Sequence, residues 1–122
     1  PIIDNNKYLR IGSKHQGEYI DKSRIVYIEA YESYSWIHLT DGSKTLSCKT
    51  IGFYQEQFLE KNFARIHRSY LINLTYLKLY ESRYRLVHLK GEIVLPISHR
   101  KNRLISKIIS NQELNTPFRM AV

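Results

Sequence analysis

Two dipeptides, Asp41-Gly42 and Lys90-Gly91, each lie between segments in which apolar and polar residues alternate and Val, Ile, Leu, Tyr and Thr dominate. Glycine reaches the positive φ of a tight turn without steric cost, and alternation turns one face of each flanking strand toward a core, so both sites predict antiparallel hairpins. In the first, Arg24–Tyr31 puts Val26, Ile28 and Ala30 on one face, and Ser35–Thr40 does the same with Ile37 and Leu39. A type I′ turn at Asp41-Gly42 then returns the chain along Ser43–Lys49, with Leu46 and Cys48 inward. In the second, Arg85–Lys90 pairs with Glu92–Ile97. Pro96 has no N–H for a ladder, which assigns that strand to a sheet edge.

The rest of the chain follows the same rhythm. Residues 6–11 and 17–21 form a first pair, with Gly12 and Gly17 bracketing a polar turn that carries Lys14 and His15. Phe63–His67 and Leu77–Ser82 read as extended. The period changes twice. Thr50 is suited to cap a helix over residues 51–60, because Ile51, Tyr54 and Phe58 recur at helical spacing. That stripe reads as core closing one end of a sheet. Ser98 caps a final helix whose apolar face is Leu104, Ile105, Ile108 and Ile109. The expectation is a mainly β domain with two short helices over residues 6–110, between a linker remnant at 1–5 and a loosely ordered tail at 111–122 that contains Pro117. A length of 122 residues suits one core.

The charge separates the two halves. Residues 1–60 hold 7 Lys+Arg against 8 Asp+Glu, a balance of −1, whereas residues 61–122 hold 12 against 3, a balance of +9. A basic half suits a polyanion, because each phosphate neutralised releases condensed counterions. Acidic lipid, an acidic protein or an uncommitted solvated surface would accept the same charge. No apolar run approaches the roughly 20 residues of a membrane span, and no charged-then-apolar leader is seen, so a cytoplasmic domain is expected. The single cysteine, Cys48, excludes an internal disulfide and a cysteine zinc site; its residue type suits a small filler in a strand. The five histidines have no metal-binding spacing, and no P-loop or nucleophile-elbow motif is present. Neither a metal nor a cofactor is expected.

Three segments are candidate sites. In Ser98-His99-Arg100-Lys101-Asn102-Arg103, cations occupy the first turn of a helix, where they oppose the macrodipole unless an anion is placed among them. Free backbone N–H groups with Arg100 and Lys101 would hold a phosphate, and a guanidinium also forks onto a guanine edge. In Arg65-Ile66-His67-Arg68-Ser69-Tyr70, alternation requires the strand to end near His67, leaving Arg68 and Ser69 at a strand-to-loop junction. His67 suits a packed, hydrogen-bonded role better than a ligand or base, and Asn73 suits a turn, although an amide also bonds phosphate or adenine. The third segment, Glu32-Ser33-Tyr34-Ser35-Trp36, sets small hydroxyls beside aromatics in a loop. Ten tyrosines on a basic β domain also suit a single-stranded nucleic-acid binder. A hydrolase built from His67 and His99 with Glu29 or Glu81 has only residue types in its favour.

The strings Arg24-Ile-Val-Tyr-Ile-Glu-Ala30, Phe63-Ala-Arg-Ile-His-Arg-Ser-Tyr-Leu-Ile-Asn73 and Leu95-Pro-Ile-Ser-His-Arg-Lys101, with the Ile51/Tyr54/Phe58 helix between them, resemble the LytTR-type DNA-binding domain of bacterial response regulators over residues 6–109. The resemblance implies an elongated β-β-β fold of about ten strands, in layers packed around a core. It also implies double-stranded DNA contacted by loops and bent, direct-repeat sites commonly occupied by two protomers, and a receiver or sensor domain outside these residues. Carried over by position, it implies DNA contacts in the loop Ser33, Tyr34, Ser35 and Trp36, at Arg68 in the His-Arg-Ser element, and at Arg100 after Ser98, with His99 where family members vary; Ser69, Asn73, His99 and Lys101 complete the candidate DNA-binding set by residue type and place. The first loop varies in length within the family, so the base-reading position there falls on Tyr34, Ser35 or Trp36.

Overall fold

The computed structural model describes residues 4, 6–59, 62–112 and 119–121. Strands β1 (Tyr8–Gly12) and β2 (Gly17–Asp21) form a two-stranded antiparallel sheet. A meander of β3 (Ile25–Tyr31), β4 (Tyr34–Leu39) and β5 (Lys44–Ser47) leads into helix α1 (Ile51–Gln57), followed by the hairpin β6 (Phe63–His67) and β7 (Tyr70–Asn73). These strands share one sheet in the order β5-β4-β3-β7-β6. A second meander, β8 (Leu77–Glu81), β9 (Leu86–Leu89) and β10 (Ile93–Pro96), precedes helix α2 (His99–Gln112) and the short β11 (Arg119–Ala121). These strands form a third sheet in the order β10-β9-β8-β11, with Pro96 in an edge strand as the sequence predicts. The three sheets realise the expected mainly β, β-β-β class.

The five-stranded sheet is central because apolar residues lie on both of its faces. On one side Ile25, Ile28, Ile37, Leu39 and Leu71 pack with Leu9, Ile11 and Ile20 of the first sheet and with Ile51, Tyr54 and Phe58 at α1. On the other, Val26, Ala64, Ile66 and Ile72 pack against Tyr80, Val87, Leu89 and Leu95 of the third sheet and against Ile105 and Ile109 of α2. Each fully buried aliphatic side chain contributes roughly 1.5–3 kcal/mol relative to exposure. Thr50 caps α1 by accepting from Phe53 N at 3.2 Å, and Ser98 caps α2 by accepting from Lys101 N at 3.1 Å, as their residue types predict.

Several expectations are corrected. At Asp41-Gly42 only Gly42 takes positive φ, at 87°, and the Ile37↔Thr45 pairing leaves Thr40, Asp41 and Gly42 in the loop. This longer loop advances the return strand by one residue, which exchanges its faces. Ser47 is therefore buried, Leu46 is 45% exposed and Cys48 is exposed. A bulge between Ile25 and Tyr27 shifts the phase of β3, so Val26 joins the opposite core from Ile28 and Ala30. Of the expected apolar face of α2, Ile105 and Ile109 are buried in the core, but Leu104 is 51% exposed. Strand β6 does end at His67 with Arg68 and Ser69 in the turn, as expected, and β7 follows directly at Tyr70. Helix α2 continues to Gln112, and the supposedly loose tail contributes Arg119–Ala121, which pairs in parallel with β8. Residues 113–118 and 122 of that tail, and 1–3 and 5 of the expected linker, lie outside the described residues.

Candidate nucleic-acid interface

Sheet topology brings the three candidate segments toward one end of the central sheet. Because β3 runs antiparallel to both β4 and β7, the β3–β4 turn at Glu32-Ser33 and the β6–β7 turn at Arg68-Ser69 lie at the same end. Ala30 N donates to Ser69 O at 2.9 Å, which joins the two hairpins there. Ser98 N donates to Ile66 O at 2.9 Å and seats the start of α2 beside the end of β6.

Between α1, β6 and α2 is a cleft of about 560 Å³. Arg65, His67 and Arg68 line one wall, Ser98, Arg100 and Lys101 the other, and Gln55 reaches it from α1. Arg65 organises this site. Its Nε donates to His67 O at 2.8 Å, Nη1 to Gln55 Oε1 at 2.7 Å and Nη2 to Arg68 O at 2.5 Å. Burial lowers the guanidinium pKa from its ordinary value, as expected for a charge drawn partly out of water. His67 Nδ1 accepts from Ser69 N at 3.1 Å, so the ring carries any neutral-state proton on Nε2 and braces the turn. The Arg68 carbonyl is held by Arg65 while its side chain is exposed at the β6–β7 turn. Arg68, Arg100 and Lys101 have no ion pair among the described residues.

The predicted site residues divide by accessibility. Ser33 is exposed at the turn, and Tyr34 is 44% exposed at the start of β4. The loop is shorter than the sequence suggests, because Tyr31 pairs with Tyr34 and β4 takes in Tyr34, Ser35 and Trp36. Ser35 is fully buried and its hydroxyl donates to Lys49 O at 2.8 Å. Trp36 lies half-buried under the Lys44 ammonium, 4.3 Å from the ring centroid. Asn73 is 5% exposed; its amide donates to Ile25 O at 2.9 Å and accepts from Thr75 N at 3.0 Å. Neither Ser35 nor Asn73 presents a free polar edge at the surface. Ser69 is half-buried, Arg100 and His99 are exposed, and Lys101 is half-buried. Arg65 and Gln55 were missed as site residues: Arg65 belongs to a cationic cluster visible in the sequence, whereas nothing local distinguishes Gln55.

The hydrolase constellation is not assembled. Glu29 accepts from His38 at 2.9 Å and Glu81 meets His88 at 2.5 Å, so neither carboxylate serves His67 or His99. Among the described residues no cluster suits a metal ion, and no helix is long and apolar enough to cross a membrane.

A search of curated proteins finds no match. Among solved structures, the chain is similar to the LytTr DNA-binding domain of a putative methyl-accepting/DNA response regulator from Bacillus cereus, at 18% identity and a TM-score of 0.64. The match covers 85% of this chain and 94% of that one, and it establishes a shared fold. The family model for the LytTr DNA-binding domain matches residues 16–110, from the first hairpin into α2. The chain therefore belongs to the LytTr DNA-binding domain family.

Proposed function

We propose that this chain binds double-stranded DNA sequence-specifically as the effector domain of a bacterial transcriptional regulator. The observation that carries the reading is the meeting of Arg68 and Arg100 across one cleft, without carboxylate partners, with the Arg68 carbonyl held by Arg65 and the α2 start that carries Arg100 capped by Ser98. A guanidinium on a rigid support suits bidentate recognition of guanine in the major groove, and Lys101 suits a phosphate between such contacts. Arg68 and Arg100, lining one cleft, read bases in a single groove, while Ser33 and Tyr34 contribute from the neighbouring turn. The N–H groups of His99 and Arg100, which the Ser98 cap does not take, suit a phosphate. The reading extends to direct-repeat sites occupied by pairs of protomers, with a receiver or sensor domain elsewhere supplying the signal.

Selection of this chain against a random duplex library at two salt concentrations tests the proposal. Recovery of a short repeated motif is expected; salt-sensitive retention with no motif would sink the claim of specificity. A single-stranded binder is the second reading, favoured by Tyr31, which is 51% exposed, and by Tyr34 beside it. Competition by single strands that exceeds competition by duplex would select it.

A further inference from the structure

We propose that the β8–β9 turn is a separate phosphate-contacting element of this interface, with Arg83 and Arg85 gripping the DNA backbone beside the start of α2. The inference rests on the duplex-binding reading above. The segment entering α2 runs between two partners: Ile97 N donates to Arg85 O at 2.8 Å, and Ser98 N donates to Ile66 O at 2.9 Å. The start of α2 is thus bonded to the β6 end that carries the Arg68 turn and also to the turn that carries Arg85. Basic surface extends from the cleft across the helix start and onto the second turn.

The β8–β9 turn is tied to the first turn of the helix. Asn102 Nδ2 donates to Ser82 O at 3.2 Å, and the Tyr80 hydroxyl donates to Asn102 Oδ1 at 2.7 Å. Arg85 Nη1 lies 2.9 Å from His99 Nδ1. A guanidinium is donor-only, so Nδ1 must accept and a neutral His99 carries its proton on Nε2. One of the five guanidinium N–H groups is thereby engaged, and the others have no partner among the described residues. Arg83 and Arg85 are exposed and have no ion pair among the described residues. The acid of the same hairpin, Glu81, is already taken by His88 at 2.5 Å. Two arginines without carboxylates, one of them oriented by a histidine that is itself exposed, form a planar-donor site for an anion. Beside a duplex-binding cleft, that anion is a backbone phosphate.

Arg85 has φ of 54°, a region glycine enters freely, so Arg85→Gly removes the guanidinium without straining the turn. Binding of this chain and of the double variant R83A/R85G is measured by fluorescence anisotropy across a salt series. The probes are the duplex recovered by selection and a scrambled duplex of equal length, and urea unfolding confirms that the variant is folded. The double variant is expected to bind both duplexes about 3- to 10-fold more weakly at low salt and to lower the slope of log affinity against log salt by about 1 to 2, with motif preference intact. Unchanged affinity and slope would overturn the inference while leaving duplex binding in place. A loss confined to the selected duplex would make Arg85 a base reader and overturn the phosphate assignment. If the unaltered chain binds neither duplex, both readings fail together.

Discussion

Arg65→Lys keeps the positive charge beside the Arg68 turn and removes the fork that shapes it. The guanidinium makes three bonds, to His67 O, Gln55 Oε1 and Arg68 O, at 2.8, 2.7 and 2.5 Å. A single ammonium on a flexible stem cannot meet three acceptors in that plane. Two lost bonds at about 1 kcal/mol each, discounted because the carbonyls at the turn rehydrate, imply a loss of about 1–2 kcal/mol in stability. A loosened turn must also order Arg68 on binding, at about 0.5–1.5 kcal/mol, which weakens specific binding roughly 2- to 12-fold. Urea unfolding supplies the first quantity, and anisotropy on selected and scrambled duplexes supplies the second under conditions where both proteins are folded. The selected duplex should suffer more than the scrambled one, since net charge is unchanged. A variant that loses stability yet binds the selected duplex like the parent would refute the role of Arg65 in positioning Arg68.

Other consequences are accessible to the same assays. Arg100→Ala should lose roughly 1–3 kcal/mol of discrimination at one base pair, visible as relaxed preference in a repeated selection, whereas equal weakening on all sequences would reduce Arg100 to a phosphate contact. Burial holds the His38 imidazole below its ordinary pKa of 6.5, outweighing the Glu29 carboxylate. The unfolded chain therefore takes up the proton first as pH falls, so the stability contributed by neutral His38 is complete above 6.5 and is lost below it toward the depressed folded value. His38→Gln should flatten that part of the urea-midpoint profile, and a variant as acid-sensitive as the parent would count against this account. Ile66→Ala empties a fully buried position next to the Ser98 anchor and should cost about 2–5 kcal/mol in calorimetric or urea unfolding.

Much of the site was legible because its parts are local. Arg68 stands out where an alternating strand must stop, and Arg100 and Lys101 stand out as cations in a helical first turn capped by Ser98. Asn73, which does cap a turn as its residue type suggests, and Ser35 are ambiguous in the sequence for a common reason: a small polar side chain suits a ligand contact and a buried backbone contact equally, and only the partner distinguishes them. Asn73 finds Ile25 O, 48 positions away in the chain, and Ser35 finds Lys49 O. Arg85 stands in the sequence only as the start of a strand, and it is the fold that sets His99 beside it.

Residue type and spacing alone determined the β-rich class, the hairpins at Gly42 and Gly91, both helix caps and the edge position of Pro96, since each depends on backbone preferences acting over a few neighbouring residues. Tertiary structure decided the faces of β3 and β5, because one bulged or extra residue inverts every side chain beyond it, and alternation looks the same in either phase. It also decided that β11 adds to the third sheet and that Arg68, Arg100 and the β8–β9 turn meet around one helix start. Such meetings depend on hydrogen bonds and core contacts between residues far apart in the chain, which no local pattern records.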